Sequence, residues 1–136
     1  YYYKDRRKGI ILVSLAGPAM NFLVAFLCLL AEGALVKYGS YSSRLVVILI
    51  LLMEYSAMIN IGFGIFNLIP VPPLDGSKVL GELLPSVRNV YGRWGRYWKW
   101  ILLILLAAGV LSVPLGMLDG AVFQVMWSGV RALLGV

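Results

Sequence analysis

Phe66-Asn67-Leu68-Ile69-Pro70-Val71-Pro72-Pro73-Leu74-Asp75-Gly76 is the stretch that decides how this chain folds. It follows a long apolar run that reads as a membrane helix. Three prolines within four positions then forbid continued helix, because each lacks an N–H and restricts the residue before it. The pattern predicts an extended or polyproline-like segment that closes at an Asp-Gly turn. Such a break leaves backbone N–H and C=O groups to be satisfied. Near membrane depth it persists only when buried in protein or lining a wet cavity. With Asn67 at its start and a carboxylate at its end, the break reads as a site.

Composition agrees with a membrane setting. Of 136 residues, 61% are hydrophobic and 13% are charged, far from the balance of a soluble domain. The formal net charge is +6, but the basic residues cluster between apolar runs, as cytoplasmic loops do. The partner they imply is the lipid bilayer; nucleic acid is not expected. The one cysteine, Cys28, lies in an apolar run and reads as a small buried hydrophobe. It excludes an internal disulfide and most thiolate metal sites. The sequence contains no histidine and begins at Tyr1, with no signal-peptide pattern. These features read as a piece of a longer chain.

Around the break, the chain divides into apolar runs. Tyr1 to Lys8 reads as a cytoplasmic collar with Lys4, Arg6, Arg7 and Lys8 against Asp5. The first span is expected at about 10–31. Within it Ser14, Gly17, Pro18, Asn21 and Ala25 share one helical face. This small and polar stripe suits close helix packing, with Asn21 bonding across the contact or facing a substrate. Glu32 to Arg44 reads as an extracytoplasmic loop. The second span is expected at about 45–67. Glu54 interrupts it, roughly 120° around the helix from the Asn60, Gly64 and Asn67 face. A structural pairing or a watery crevice is expected for Glu54 rather than a place beside Asn67.

After the break, Gly76 to Leu84 reads as a short amphipathic helix ended by Pro85, with Asp75 where an N-cap would stand. Arg88, Arg93, Arg96 and Lys99 alternate with Tyr91, Trp94, Tyr97, Trp98 and Trp100. That mixture marks a cytoplasmic membrane interface. A third span is expected at about 101–118, which Pro114 and Gly116 shorten. A turn at Asp119-Gly120 leads to a last segment, 121–136, that crosses the membrane or lies along it. The fold class is all-α polytopic membrane protein: one domain over 1–136, with three to four transmembrane helices and a Pro-rich extended break after the second. Its N-terminus is expected in the cytoplasm.

Asn67 to Gly76 resembles the Asn…Leu-Asp-Gly motif of the site-2 protease family of intramembrane zinc metalloproteases. Ala16-Gly17-Pro18-Ala19-Met20-Asn21 resembles the Gly-Pro-x-x-Asn helix upstream of that motif, and order and spacing both fit. The resemblance implies a zinc-dependent endopeptidase that cleaves membrane-embedded helices of a transmembrane protein substrate, in a bacterial cell membrane. It implies that Asp75 is a zinc ligand. It makes Asn67, Pro70, Pro72 and Pro73 substrate-binding or site-shaping residues, with Gly17, Asn21 and Gly76 structural nearby. The extended Pro70 to Leu74 segment would offer a backbone edge to an unwound substrate.

One departure limits this. The family's His-Glu-x-x-His helix, which supplies two zinc ligands and the catalytic base, is absent, and a catalytic zinc takes three protein ligands. The base is expected upstream of Tyr1, and the 136 residues are expected to be inactive alone. Two other readings stand beside this one: a non-catalytic homologue that binds membrane helices, and a small transporter or channel subunit.

Overall fold

The computed structural model describes residues 2–135, with side chains from Arg6 onward. The tyrosines, Lys4 and Asp5 of the expected collar lie outside the described side chains. Six helices follow in order: α1 (Tyr2–Tyr38), α2 (Arg44–Asn67), α3 (Asp75–Leu83), α4 (Pro85–Trp94), α5 (Tyr97–Ala107) and α6 (Ser112–Leu134). The described residues contain no strand. Two helices are long and apolar enough to cross a membrane, Arg6–Tyr38 and Arg44–Asn67. A third crossing is available if α5 and α6 count as one bent span.

α1 and α2 form an antiparallel pair, and α6 packs across both. The core is small: Ala25 and Leu29 from α1, Ala57, Ile61 and Ile65 from α2, and Val130 from α6. Many large apolar side chains point outward, among them Val13, 76% exposed, and Val125, 73% exposed. In water that would be a liability; in lipid, tight contacts between small residues do the work of a core. Two glycines show this. A β-carbon at Gly64 would stand 2.9 Å from the Phe22 ring, and one at Gly33 would stand 2.7 Å from Leu134. Most of the stripe on α1 faces inward: Ser14, Pro18 and Ala25 are buried and Asn21 is half-buried, while Gly17 is exposed.

Three expectations are corrected. The loop placed at Glu32 to Arg44 begins only after Tyr38, so Glu32 is a buried helical residue. Ala34 to Lys37 contains no helix breaker, and Gly33, at a helical cost of about 1 kcal/mol, lets α6 pack directly on α1. Second, the basic loop at Arg88 to Lys99 is mostly helix, turned at Gly95, whose φ is +32°. Third, Asp119-Gly120 lies within α6. The turn falls earlier, at Gly109 with φ +73°, where α5 and α6 meet at 79°. Pro114 sits in the first turn of α6, where its missing N–H costs nothing. Packing of Val122, Phe123, Met126 and Trp127 against the core holds α6 helical past Gly120.

The basic clusters at the start of α1 and after α3 lie at the same end of the molecule. Arg7 donates to the Leu83 carbonyl at 3.4 Å.

Candidate functional site

α2 ends where the prolines begin, and residues 68–74 are non-helical. Their path is a succession of tight turns, not the extended run expected from the sequence. Leu68 and Ile69 donate back to the Ile65 and Phe66 carbonyls, each at 3.1 Å. Val71 donates to Ile69 at 2.8 Å and Leu74 to Val71 at 3.0 Å. The other three residues, Pro70, Pro72 and Pro73, have no N–H to place. The Pro72–Pro73 peptide bond is cis. Every donor of the break is therefore satisfied within the chain, which a helix interrupted in a membrane requires.

This accounting corrects the expected backbone edge. Pairing in the manner of a β-strand needs N–H donors as well as carbonyls. Residues 70–74 present carbonyls only, so in this conformation the segment can accept hydrogen bonds from a substrate but cannot donate any.

Asp75 opens α3. It is not the N-cap: Leu74 holds that position with extended backbone, and no side chain caps the helix. Ser77 secures the turn instead, donating to the Leu74 carbonyl through its N–H at 3.1 Å and its buried Oγ at 2.7 Å. The Asp75 carboxylate is thereby left for other partners. Lys78 Nζ lies 3.7 Å from Oδ1, one helical turn on, and the Asp75 side chain is 30% exposed. From the other side α1 brings Gly17, where a β-carbon would stand 3.5 Å from Oδ2. The two sequence motifs thus meet at one carboxylate.

Gly76 fixes the depth of this arrangement. A β-carbon there would collide with the carbonyl of Leu68 and would lie 2.7 Å from that of Ile69. Only glycine lets α3 close onto the break. Tyr91 of α4 seals it from outside, its hydroxyl donating to the Pro70 carbonyl at 2.6 Å. Burial raises the Tyr91 hydroxyl above the ordinary tyrosine pKa. Its ring meets Trp98 edge to face at 5.4 Å, and the Trp98 indole N–H donates to the Tyr91 carbonyl at 3.1 Å. Arg88 Nε bonds the Gly81 carbonyl at 3.1 Å, and its guanidinium lies 3.6 Å from Glu82.

The other expected residues fall as follows. Pro72 lines a cavity of about 240 Å³ with Ile10, Lys78 and Tyr91. Pro70 and Pro73 are exposed. Asn67 turns its amide back along α2, donating to the Phe63 carbonyl at 2.9 Å; among the described residues no hydrogen bond joins it to Asp75. Glu54 is remote from Asp75. It lines a separate cavity of about 370 Å³ between α2 and α6, with Asp119 and Gln124.

Tyr91, Ser77 and Lys78 escaped the sequence reading. Tyr91 looks like any interfacial aromatic, because nothing local links it to a proline 21 residues earlier. Ser77 and Lys78 gave a usable signal, since a short helix entered without a capping side chain needs some polar group to hold its first turn.

These features find their match in known proteins. Peptidase family M50 matches residues 33–109, which include the whole break and Asp75. The chain belongs to peptidase family M50. The Gly-Pro-x-x-Asn motif of α1, Gly17 to Asn21, lies before the matched residues. Three curated relatives are named putative zinc metalloproteases. YwhC of Bacillus subtilis is 30% identical over 62% of this chain and 39% of its own length. The Synechocystis protein sll0528 is 30% identical over 76% of this chain and 27% of its own length. The Streptococcus pneumoniae protein spr0242 is 49% identical over 28% of this chain and 9% of its own length. The chain thus spans at most about two fifths of the curated relatives it matches. No solved structure matches it significantly.

The M50 names imply zinc, and the donors present can be tested against that ion. The sequence has no histidine. Among the described residues no group of three His, Cys, Asp or Glu side chains comes together to hold a metal. This stretch of the M50 chain therefore does not fit a catalytic zinc by itself; Asp75 is a single donor.

Proposed function

We propose that these residues form the Asp-bearing half of an intramembrane metalloendopeptidase of site-2 protease type, which cleaves membrane-embedded helices in a bacterial cell membrane. In this reading Asp75 is one zinc ligand, and the remaining ligands and the base come from outside the 136 residues. The observation that carries it is the convergence of the two motifs: the Leu-Asp-Gly turn presents a carboxylate free of any capping duty, with Gly17 of the Gly-Pro-x-x-Asn helix against it.

The work of this chain's residues is positional. The turns at 68–74 end α2 and carry the backbone to Asp75 without orphan donors. Gly76, Ser77 and Tyr91 then hold the start of α3 in place. The Pro70, Val71 and Leu74 carbonyls already accept from Tyr91, Leu74 and Ser77, which leaves those of Pro72 and Pro73 as acceptors for the N–H groups of an unwound substrate strand. Unwinding matters because a helical peptide bond has its polar groups occupied and is poorly open to attack. The meeting of Arg7 with Leu83 places both basic clusters on one side. By charge that side is the cytoplasm, and so is the end of the molecule holding the N-terminus of α1. The domain is a single one.

The test is cleavage of a reporter carrying one membrane helix by the full-length protein. Asp75→Ala is expected to abolish cleavage with the protein still folded; cleavage at the wild-type rate would overturn the proposal. A second reading is a homologue that binds membrane helices without cutting them. It predicts reporter binding but no cleavage by the wild-type protein.

A further inference from the structure

We propose that the arginine-lined cavity where α1 meets α3 and α4 binds the phosphate of an anionic phospholipid. Its walls are Arg6, Arg7 and Ile10 of α1, Glu82 of α3 and Arg88 of α4, around about 110 Å³. Liquid water takes about 30 Å³ per molecule, so the space suits a group of a few heavy atoms such as a phosphodiester. Three guanidiniums against one carboxylate leave two positive charges in excess. Glu82 is already engaged by Arg88 at 3.6 Å, and Arg88 is braced by the Gly81 carbonyl at 3.1 Å. The site is thus preorganised, and guanidinium groups match phosphate oxygens in paired geometry.

Position selects a lipid over other anions. Arg6 and Arg7 stand about one helical turn before Ile10, where the uncharged apolar run of α1 begins. Ile10 is on the cavity wall, and Leu12 and Val13 just beyond it are 68% and 76% exposed. Leu83 and Leu84, at the end of α3, are also exposed. An anionic head joined to an apolar tail covers both surfaces, whereas an acidic peptide or free phosphate leaves the apolar rim bare. Basic pockets between membrane helices on the cytoplasmic side recognise anionic headgroups on the same principle. The cavity adjoins the one lined by Pro72, Lys78 and Tyr91, sharing Ile10, Glu82 and Arg88 with it, but the inference does not depend on the proteolytic reading: among the described residues no hydrogen bond or ion pair joins its side chains to Asp75.

The experiment is native mass spectrometry of the full-length protein in detergent, titrated with phosphatidylglycerol or phosphatidylcholine. Wild type is expected to retain one phosphatidylglycerol in preference to phosphatidylcholine. Arg6→Gln and Arg7→Gln should each weaken that retention about fivefold, the effect of removing one interfacial positive charge. The paired Arg6→Lys and Arg7→Lys variant keeps the charge but loses the paired guanidinium geometry, so it should hold phosphatidylglycerol more weakly than wild type while still preferring it to phosphatidylcholine; Arg93→Gln with Arg96→Gln, outside the cavity, should change nothing. If the glutamine variants lose helix content by circular dichroism, the lysine pair and the wild-type lipid preference still decide. Equal retention of the two lipids by wild type would overturn the proposal. So would undiminished retention in folded glutamine variants, or displacement by millimolar inorganic phosphate or an acidic peptide, which would mark a general anion site.

Discussion

Gly17 on α1 lies against Asp75 at the start of α3, close enough that a β-carbon on the glycine would stand 3.5 Å from carboxylate oxygen Oδ2. Fifty-odd residues of chain separate the two, and α1 and α3 meet nowhere more consequentially. The contact says how much space the carboxylate has and what a side chain there would do to it.

At 3.5 Å a methyl group is in ordinary van der Waals contact, so Gly17→Ala should leave fold and activity within about twofold of wild type. Gly17→Leu should not. Its branched side chain would press on the carboxylate, and reporter cleavage by the full-length protein should fall at least tenfold while helix content by circular dichroism is kept. Equal activity of the alanine and leucine variants would show that Gly17 does not border the working position of Asp75.

Gly76 faces a harder limit, because its neighbours are backbone carbonyls of Leu68 and Ile69 and cannot rotate away. Gly76→Ala should therefore destabilise the protein by roughly 1–3 kcal/mol, the usual cost of forcing an extra carbon into a packed site. Denaturant titration in detergent measures this. A neutral result would mean that the break and α3 are not closed on one another.

Tyr91→Phe removes the hydroxyl that binds the Pro70 carbonyl and should cost about 1 kcal/mol. The hydroxyl's pKa is raised by burial, and a group whose folded value is raised contributes stability below its unfolded value and loses it as pH rises through the folded one. The wild-type advantage over Tyr91→Phe should thus hold through neutral pH up to the ordinary tyrosine range, and disappear only above it. An advantage lost near pH 7 would contradict this assignment.

The sequence was informative where local chemistry decides. Prolines at 70, 72 and 73 had to stop α2, and the polar stripe on α1 had to face a neighbour. The family motifs named Asp75. Reading failed where packing overrides a local signal. Glu32 looked like the start of a loop but is helical and buried, because Gly33 admits α6 beside it. Asp119-Gly120 has the composition of a turn, yet lies in a helix held by the core. Asp75 looked like a cap, but Leu74 holds the cap position with no capping side chain, and Ser77 ties the first turn to the Leu74 carbonyl instead. The break itself was expected to be extended, and its turns satisfy the Val71 and Leu74 N–H groups within the segment.

The central claim is that Asp75 holds zinc together with ligands from elsewhere in the full-length protein. Metal content decides it most directly. The purified full-length protein should carry about one zinc per chain by inductively coupled plasma mass spectrometry. Asp75→Ala should lose most of that zinc at equal helix content, since a catalytic centre depends on three protein ligands. Zinc unchanged in a folded Asp75→Ala protein, or none in the wild type, would contradict the account.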